Sequence, residues 1–495
     1  MRMQHRMNWL DRRRFLVGSA AALAIGPSAV RAQTVPAKES PKEPQRLSVR
    51  IAEFATGFDL GQAPPLAIER ARTAFVDTVG VTLAGSTEKV AEIVRDMVRA
   101  EAAGPVASVI GASFKTSPQL AALANGVASH ALDFDFTYTQ GQLMAPVIPA
   151  LLPLAEATGA TPSEVLAAFI VGFEVCSRLS RSNPTHNGVG SWHGTSTIGA
   201  ISAAVACARL MKLPAAAYPN VIGIAVSMAS GVNANYGTMT KPLHAGHAAR
   251  NGMAAAMLGK AGLTANATAL EGRGGFFAAF ARGIPWSAEP FNDLGRSYDL
   301  AEVGFRPKRY PCGGVIHTGI DAALQIRDEL GARVADITAI KAGIAKYAAN
   351  RAGTDYPANM EAAKFNLQYV IAASLANGVP KLATFEPEAI KDPRVKALAA
   401  MVTVAIDPEF ADAIEDYPTR VAVTLKDGRV VERLVVYASG TAKNPMSPAQ
   451  MRDKFFDCAD HAGVEPPVAE KIAALLDRLG EQPSFAELWP LLRRG

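Results

Sequence analysis

The chain reads as a mostly α protein with an α+β insertion, a large all-helical domain joined to a smaller α+β domain. Three observations predict this. From Arg50 to about Phe280 apolar residues recur at helical spacing, with alanine and glycine dense among them, as in AISAAVACA and AGHAARNGMAAAM. After Pro285 the texture changes, and RVAVTLKDGRVVERLVVY (Arg420–Tyr437) alternates apolar and polar residues about an Asp427-Gly428 turn, the pattern of a β-hairpin. From Pro445 helical spacing returns. The expected division is residues 47–283 for the helical domain, 284–444 for the α+β domain and 445–495 for helices that rejoin the first.

Within the helical part, Pro64-Pro65 opens LAIERARTAFVDTVGVTLAG, which Gly85 closes. Further helices are expected at Val90–Ala102, Ser117–His130, Ser163–Leu179, Thr197–Leu213, Ala216–Met228 and Pro242–Gly262. Strands are expected at Val334–Ala345 and Met401–Ile406, with helices at Val315–Leu330 and Lys364–Ala376. The last helices are Ser447–Asp460, Pro467–Leu479 and Phe485–Leu492.

Half the residues are apolar and 19% are charged, a globular composition. The net charge of +5 resides in residues 1–32, where Arg2, Arg6, Arg12, Arg13, Arg14 and Arg31 face the single acid Asp11, so residues 33–495 are neutral overall. A neutral body gives no basis for nucleic-acid binding. Residues 1–32 read as a signal peptide of the twin-arginine type. Arg12–Arg14 precede Phe15-Leu16, an apolar run of about 11 residues too short to span a bilayer, and Val30-Arg31-Ala32 as a cleavage site. The expectation is a periplasmic protein without stable membrane insertion, its residues 33–46 forming a proline-punctuated linker. Cys176, Cys207, Cys312 and Cys458 contain no CxxC pair, and no required disulfide is expected.

Four segments place chemistry-bearing residues at helix boundaries. In GSWHGTST, His193 precedes an alanine-rich helix for which Thr195 or Ser196 would serve as N-cap; it is an anion-site residue or an exposed loop histidine. In TMTKPLHAGHAARNG, Lys241 stands directly before Pro242, where a cation opposes the helix dipole; a negatively charged ligand or plain solvation accounts for it. In KRYPCGGVIHTGIDAAL, His317 lies in a first turn with Asp321 four residues on, spaced to orient the imidazole or to form a surface pair. In NGVASHALDFDFTY, Asp133, Asp135 and Thr137 follow a helix end, where acids ligate a metal, orient a base or sit in water. His244 and His247 share a helix face, but no third ligand or HExxH accompanies them, so no metal is expected. GxSxG, GxxxxGK[ST] and strand-borne GxGxxG motifs are absent.

Taken in order, FVDTVGVTLAGS, ALANGVASHALDFD, SWHGTSTIGAISAA, TKPLHAGHAARNGMAA, LEGRGGFFAAF, KRYPCGGVIHTGIDA, AKFNLQYVIAA and NPMSPAQMRDKF resemble the MmgE/PrpD family. That family includes 2-methylcitrate dehydratases, cis-aconitate decarboxylases and related epimerases. The resemblance implies a helical domain with an α+β insertion, no cofactor and a homodimer. It places active-site positions at Asp133, Thr137, His193, Lys241 and His317. The chain departs from the family's DFDDT, which is followed by His-Pro. Here Phe136 replaces the second paired acid, and Gln142–Pro146 (QLMAP) stands where the histidine belongs. The function so implied is a cofactor-independent, dehydratase-like lyase acting on a small di- or tricarboxylate. His193, Lys241 and His317 would be catalytic, with Asp133, Thr137 and Asp321 binding substrate or supporting them. A decarboxylase or epimerase of the same family, or a non-catalytic periplasmic carboxylate-binding protein, is the alternative.

Overall fold

The computed structural model describes residues 46–493 apart from 140, 184–185, 187–190, 282–283, 354 and 414–415. The expected signal peptide, and all of the expected linker except Arg46, lie outside the described residues.

The first half is a stack of helices: α1 (Leu47–Gly57), α2 (Pro65–Gly85), α3 (Lys89–Ala100), α4 (Pro118–His130), α5 (Val147–Thr158), α6 (Pro162–Ser182), α7 (Gly194–Leu210), α8 (Tyr218–Met228) and α9 (Thr240–Lys260). Their starts follow local chemistry. Ser117 caps α4 ahead of Pro118, and Thr161 and Glu164 form a reciprocal capping box on α6. Helix α5 is not among the sequence expectations, because Pro149 and Pro153 argue against a helix there. It forms because Val147–Ala155 are buried on every side, and Gly159 ends it in a left-handed turn at φ +68°. The expectation of helix throughout this half also fails at β1 (Ala107–Ser108) and β2 (Lys115–Thr116), a short antiparallel pair.

Helix α9 lies tight against α4 and α7, and glycine makes this possible. A Cβ on Gly246 would stand 2.3 Å from the Leu123 carbonyl oxygen, and one on Gly252 would stand 2.6 Å from the Ala203 methyl. Small residues let the axes approach, and so bring the C-terminal end of α4 beside the first turns of α7 and α9.

The α+β part holds a four-stranded sheet in the order β4-β3-β5-β6: β3 (Ile337–Ile344), β4 (Val402–Ile406), β5 (Thr419–Leu425) and β6 (Val430–Val435). Strands β3 and β4 run parallel, joined by a helical crossover, while β3–β5 and β5–β6 are antiparallel. Gly428, at φ +83°, makes the expected hairpin turn. The strand expected from Val334 begins only at Ile337, because Gly331–Asp336 form a 3-10 turn. Val421, Val423 and Leu425 point into a core shared with helices His317–Leu330 and Leu367–Asn377. A separate core runs through the N-terminal helices and includes Phe455, Ile472, Leu476 and Leu492 from the C-terminal helices. All four cysteines are buried free thiols.

Candidate active site

Helix α4 ends at His130, and the chain turns through Leu132–Tyr138. A buried ion pair supports this turn from beneath. Lys454, on helix Pro448–His461, lies 2.6 Å from the Asp77 carboxylate and donates to the Phe134 carbonyl at 2.7 Å, while Asp77 accepts the Phe136 N–H at 3.1 Å. The Phe136 ring, in the place of an acid, packs on Phe305 at 4.4 Å. The turn holds Asp133 at φ +53°, a left-handed conformation that costs a non-glycine residue on the order of 1–3 kcal/mol and clusters at functional sites.

Asp133 is the hub. Its carboxylate accepts from Lys241 Nζ at 2.5 Å, from Lys308 Nζ at 2.7 Å and from Gln142 Nε2 at 2.8 Å. Lys308 also donates to the Asp133 carbonyl. Gln142 opens the stretch that stands where the family pattern has a histidine, and its amide is committed to Asp133. Burial raises the Asp133 pKa, but the charges of Lys241, Lys308 and His130 outweigh it and hold the carboxyl well below the usual range. Two ammonium groups against one carboxylate leave the trio positive. A third lysine, Lys364, stands close enough for Asp133 to affect its titration; burial lowers its pKa, and Glu88 and Asp133 oppose that.

His193 is itself the N-cap of α7, with no side-chain capping bond, so the expected caps are corrected. Thr195 donates instead to the Gln142 carbonyl and Ser196 to that of His244. The His193 and His244 Nδ1 atoms are 3.0 Å apart, so one donates to the other. Burial, and then the neighbouring charges of His130 and Lys241, depress the His193 pKa strongly. Burial takes His244 down to about 4. Both rings are therefore neutral at pH 7, and opposite tautomers satisfy them: the ring holding the shared Nδ1 proton has a bare Nε2, and the other carries its proton there.

His317 sits 3% exposed at the start of its helix, with burial and Lys308 bringing its pKa to about 3. Its Nε2–H donates to the Cys312 carbonyl at 3.3 Å, which leaves Nδ1 as the bare nitrogen. The expected Asp321–His317 pairing is not present. Asp321 accepts from the Tyr310 hydroxyl at 2.5 Å and from the Ser439 N–H and hydroxyl at 2.7 and 2.9 Å. It thereby anchors the segment that carries Lys308. The polar contacts of Thr137 run to the Arg306 backbone. Lys241 lies inside α9, which begins at Thr240, not ahead of the helix.

The structure therefore gathers Asp133, Lys241, His193 and His317 into one electrostatically coupled, mostly buried cluster. It adds Lys308, His244, Gln142 and the pair His130–Asp135, which sequence reasoning passed over or read differently. Lys308 belongs to the KRYPC stretch, but its 175-residue separation from Asp133 left no signal. Among the described residues no group of three or more His, Cys, Asp and Glu side chains is placed to hold a metal. A surface groove of about 500 Å³ lined by Arg50, Phe54, Asp59 and Tyr298 shares no residue with the cluster.

Comparison with known proteins identifies the family of the chain. Residues 49–289 match the MmgE/PrpD N-terminal domain and residues 310–478 the MmgE/PrpD C-terminal domain. The chain is 30% identical to the cis-aconitate decarboxylase of Homo sapiens over 418 residues, 81% of this chain and 86% of that protein. It is 27% identical to the cis-aconitate decarboxylase of Aspergillus terreus (strain NIH 2624 / FGSC A1156) over 474 residues, 89% and 95% of the two chains. It is 25% identical to the 2-methylcitrate dehydratase of Cupriavidus necator over 423 residues, 80% and 85%. The chain, from its helical N-terminal part through its α+β sheet, belongs to the MmgE/PrpD family.

Proposed function

We propose that this chain is a cofactor-independent lyase that acts on a small tricarboxylate, and that the reaction is decarboxylation. The observation that supports it is the convergence of Lys241 and Lys308 on Asp133 beside neutral imidazoles. A buried cluster with surplus positive charge suits a polyanion and stabilises charge that develops next to a carboxylate. In the reaction a carbon–carboxylate bond breaks and CO₂ leaves. The electron pair stays with the remaining carbon framework and is taken up by one proton.

Elimination of water asks for more: a base for the C–H bond and an acid for the departing hydroxyl. Phe136 and the stretch Gln142–Pro146 stand where the family pattern offers an acid and a histidine, and neither moves a proton. This favours decarboxylation, the activity named for the human and Aspergillus relatives. Dehydration is the second reading, favoured by the Cupriavidus relative. In either case Lys241 and Lys308 receive substrate carboxylates, and His193 and His317 border the reacting carbon. The arginine-led N-terminus supports export to the periplasm, and the family resemblance supports a homodimer.

Incubation of the purified chain with cis-aconitate and with 2-methylcitrate, followed by mass spectrometry, separates the readings. Loss of CO₂ from cis-aconitate is the expected result. Loss of water from 2-methylcitrate instead would establish the second reading. A melting-temperature rise without product from either would mark a binding protein.

A further inference from the structure

His130 is the last residue of α4 and is 1% exposed. Its Nδ1 faces both oxygens of Asp135, at 3.0 and 3.1 Å. A carboxylate only accepts, so Nδ1 carries a proton, and the ring in its neutral form presents a bare Nε2. That Nε2 is buried and has no hydrogen-bond partner among the described residues. Buried polar atoms are nearly always satisfied, and an exception at a site of strained backbone asks for a ligand. The ring stacks on His193, centroids 5.6 Å apart and planes 28° apart, so it belongs to the cluster around Asp133.

The imidazoles of this cluster differ in one respect. His193 pairs with His244, and His317 with a backbone carbonyl, so neither ring hydrogen-bonds a carboxylate; Asp133 favours their charged forms only at a distance and is outweighed by burial and the lysines. His130 has a carboxylate behind it, itself 2% exposed. An imidazole held by a buried carboxylate, with its far nitrogen bare, is the arrangement that accepts and returns protons in acid–base enzymes.

We propose that His130 is the proton-carrying residue of this site and Asp135 its positioning residue. The inference rests on the tricarboxylate reading. Nε2 takes a proton from water while Nδ1–H stays on Asp135. When CO₂ departs, that proton passes to the carbon that holds the electron pair, and His130 returns to its neutral form. One proton is consumed per CO₂ released, so the step balances. The dyad then supplies a proton transfer that Phe136 and the stretch Gln142–Pro146 do not offer.

The test uses the full chain labelled with ¹⁵N-histidine, with citrate as a tricarboxylate probe that is not expected to turn over. A rise in melting temperature reports binding, and the His130 resonances, assigned with the Asp135→Asn protein, report its nitrogens. The expected result is an unprotonated Nε2 in the free protein that shifts toward the protonated value when citrate binds. Citrate binding with an unchanged Nε2 overturns the dyad and leaves the tricarboxylate reading standing. No binding overturns both.

A kinetic arm compares His130→Asn, Asp135→Asn and Asp135→Glu. The first two should lose on the order of 10²–10⁴ in kcat with little change in KM, and Asp135→Glu should restore part of the loss. A folded His130→Asn protein with wild-type kcat overturns the proposal. If that variant fails to fold, the wild-type nitrogen shifts still decide it.

Discussion

Replacing Lys241 by methionine keeps the length of the side chain and removes its charge. In the native site Lys241 is 18% exposed on its side chain and shares Asp133 with Lys308. Without it, Asp133 and Lys308 cancel, and the trio falls from a net positive charge to neutrality. A substrate carboxylate about 4 Å from the ammonium gains ~4 kcal/mol at an effective dielectric near 20, and less with partial exposure, so ~2–4 kcal/mol is the working range. That corresponds to a loss of roughly 30- to 1,000-fold in kcat/KM. Stability should fall less, since Asp133 keeps Lys308 and Gln142; one lost bond to a charged group costs ~1.5–3 kcal/mol. The assay is turnover and tricarboxylate binding well below the melting temperature, at two salt concentrations. A folded Lys241→Met protein with wild-type kcat/KM would refute the argument that this ammonium faces the substrate.

Three further outcomes follow from the packing and the charges. Gly246→Ala drives a methyl into the Leu123 carbonyl oxygen, a backbone atom that cannot step aside; a loss of ~1–3 kcal/mol or more is expected in urea unfolding, with activity falling because α9 carries both Lys241 and His244. Lys454→Met leaves Asp77 buried without its cation, at a cost of ~3–5 kcal/mol, and frees the Phe134 carbonyl that steadies the Asp133 turn, so unfolding midpoint and turnover should fall together. Burial brings His244 to about 4 and His317 to about 3, below the ordinary histidine value near 6.5. The unfolded chain then binds more protons than the folded one, so stability is full above about pH 6.5 and drains as pH falls toward 4 and then 3. Urea titrations across that window should show the loss, and His244→Gln should flatten its upper part.

Much of the fold is legible in the sequence because its signals are local. Pro65, Ser117 and Thr161 announce helix starts, and Asp427-Gly428 between alternating strands announces the hairpin. Helix α5 escapes because burial on all sides, which no window of residues reveals, overrides its two prolines. The site is legible only in part. His193, Lys241 and His317 stand out by residue type at helix boundaries. Their partners do not, because the bonds that define the cluster join residues 51, 108 and 175 positions apart. Helical spacing pointed Asp321 at His317, yet the carboxylate turns to Tyr310 and Ser439, which the i,i+4 rule cannot foresee. His130 and Asp135 are five apart, across a helix end, where neither helix nor strand periodicity applies.

The most direct measurement follows the chain with cis-aconitate labelled with ¹³C at its carboxyl carbons. The account predicts labelled CO₂ and a dicarboxylate product in equal amounts, at a rate that collapses in Lys241→Met. Unchanged cis-aconitate after prolonged incubation, with no rise in melting temperature, would contradict it.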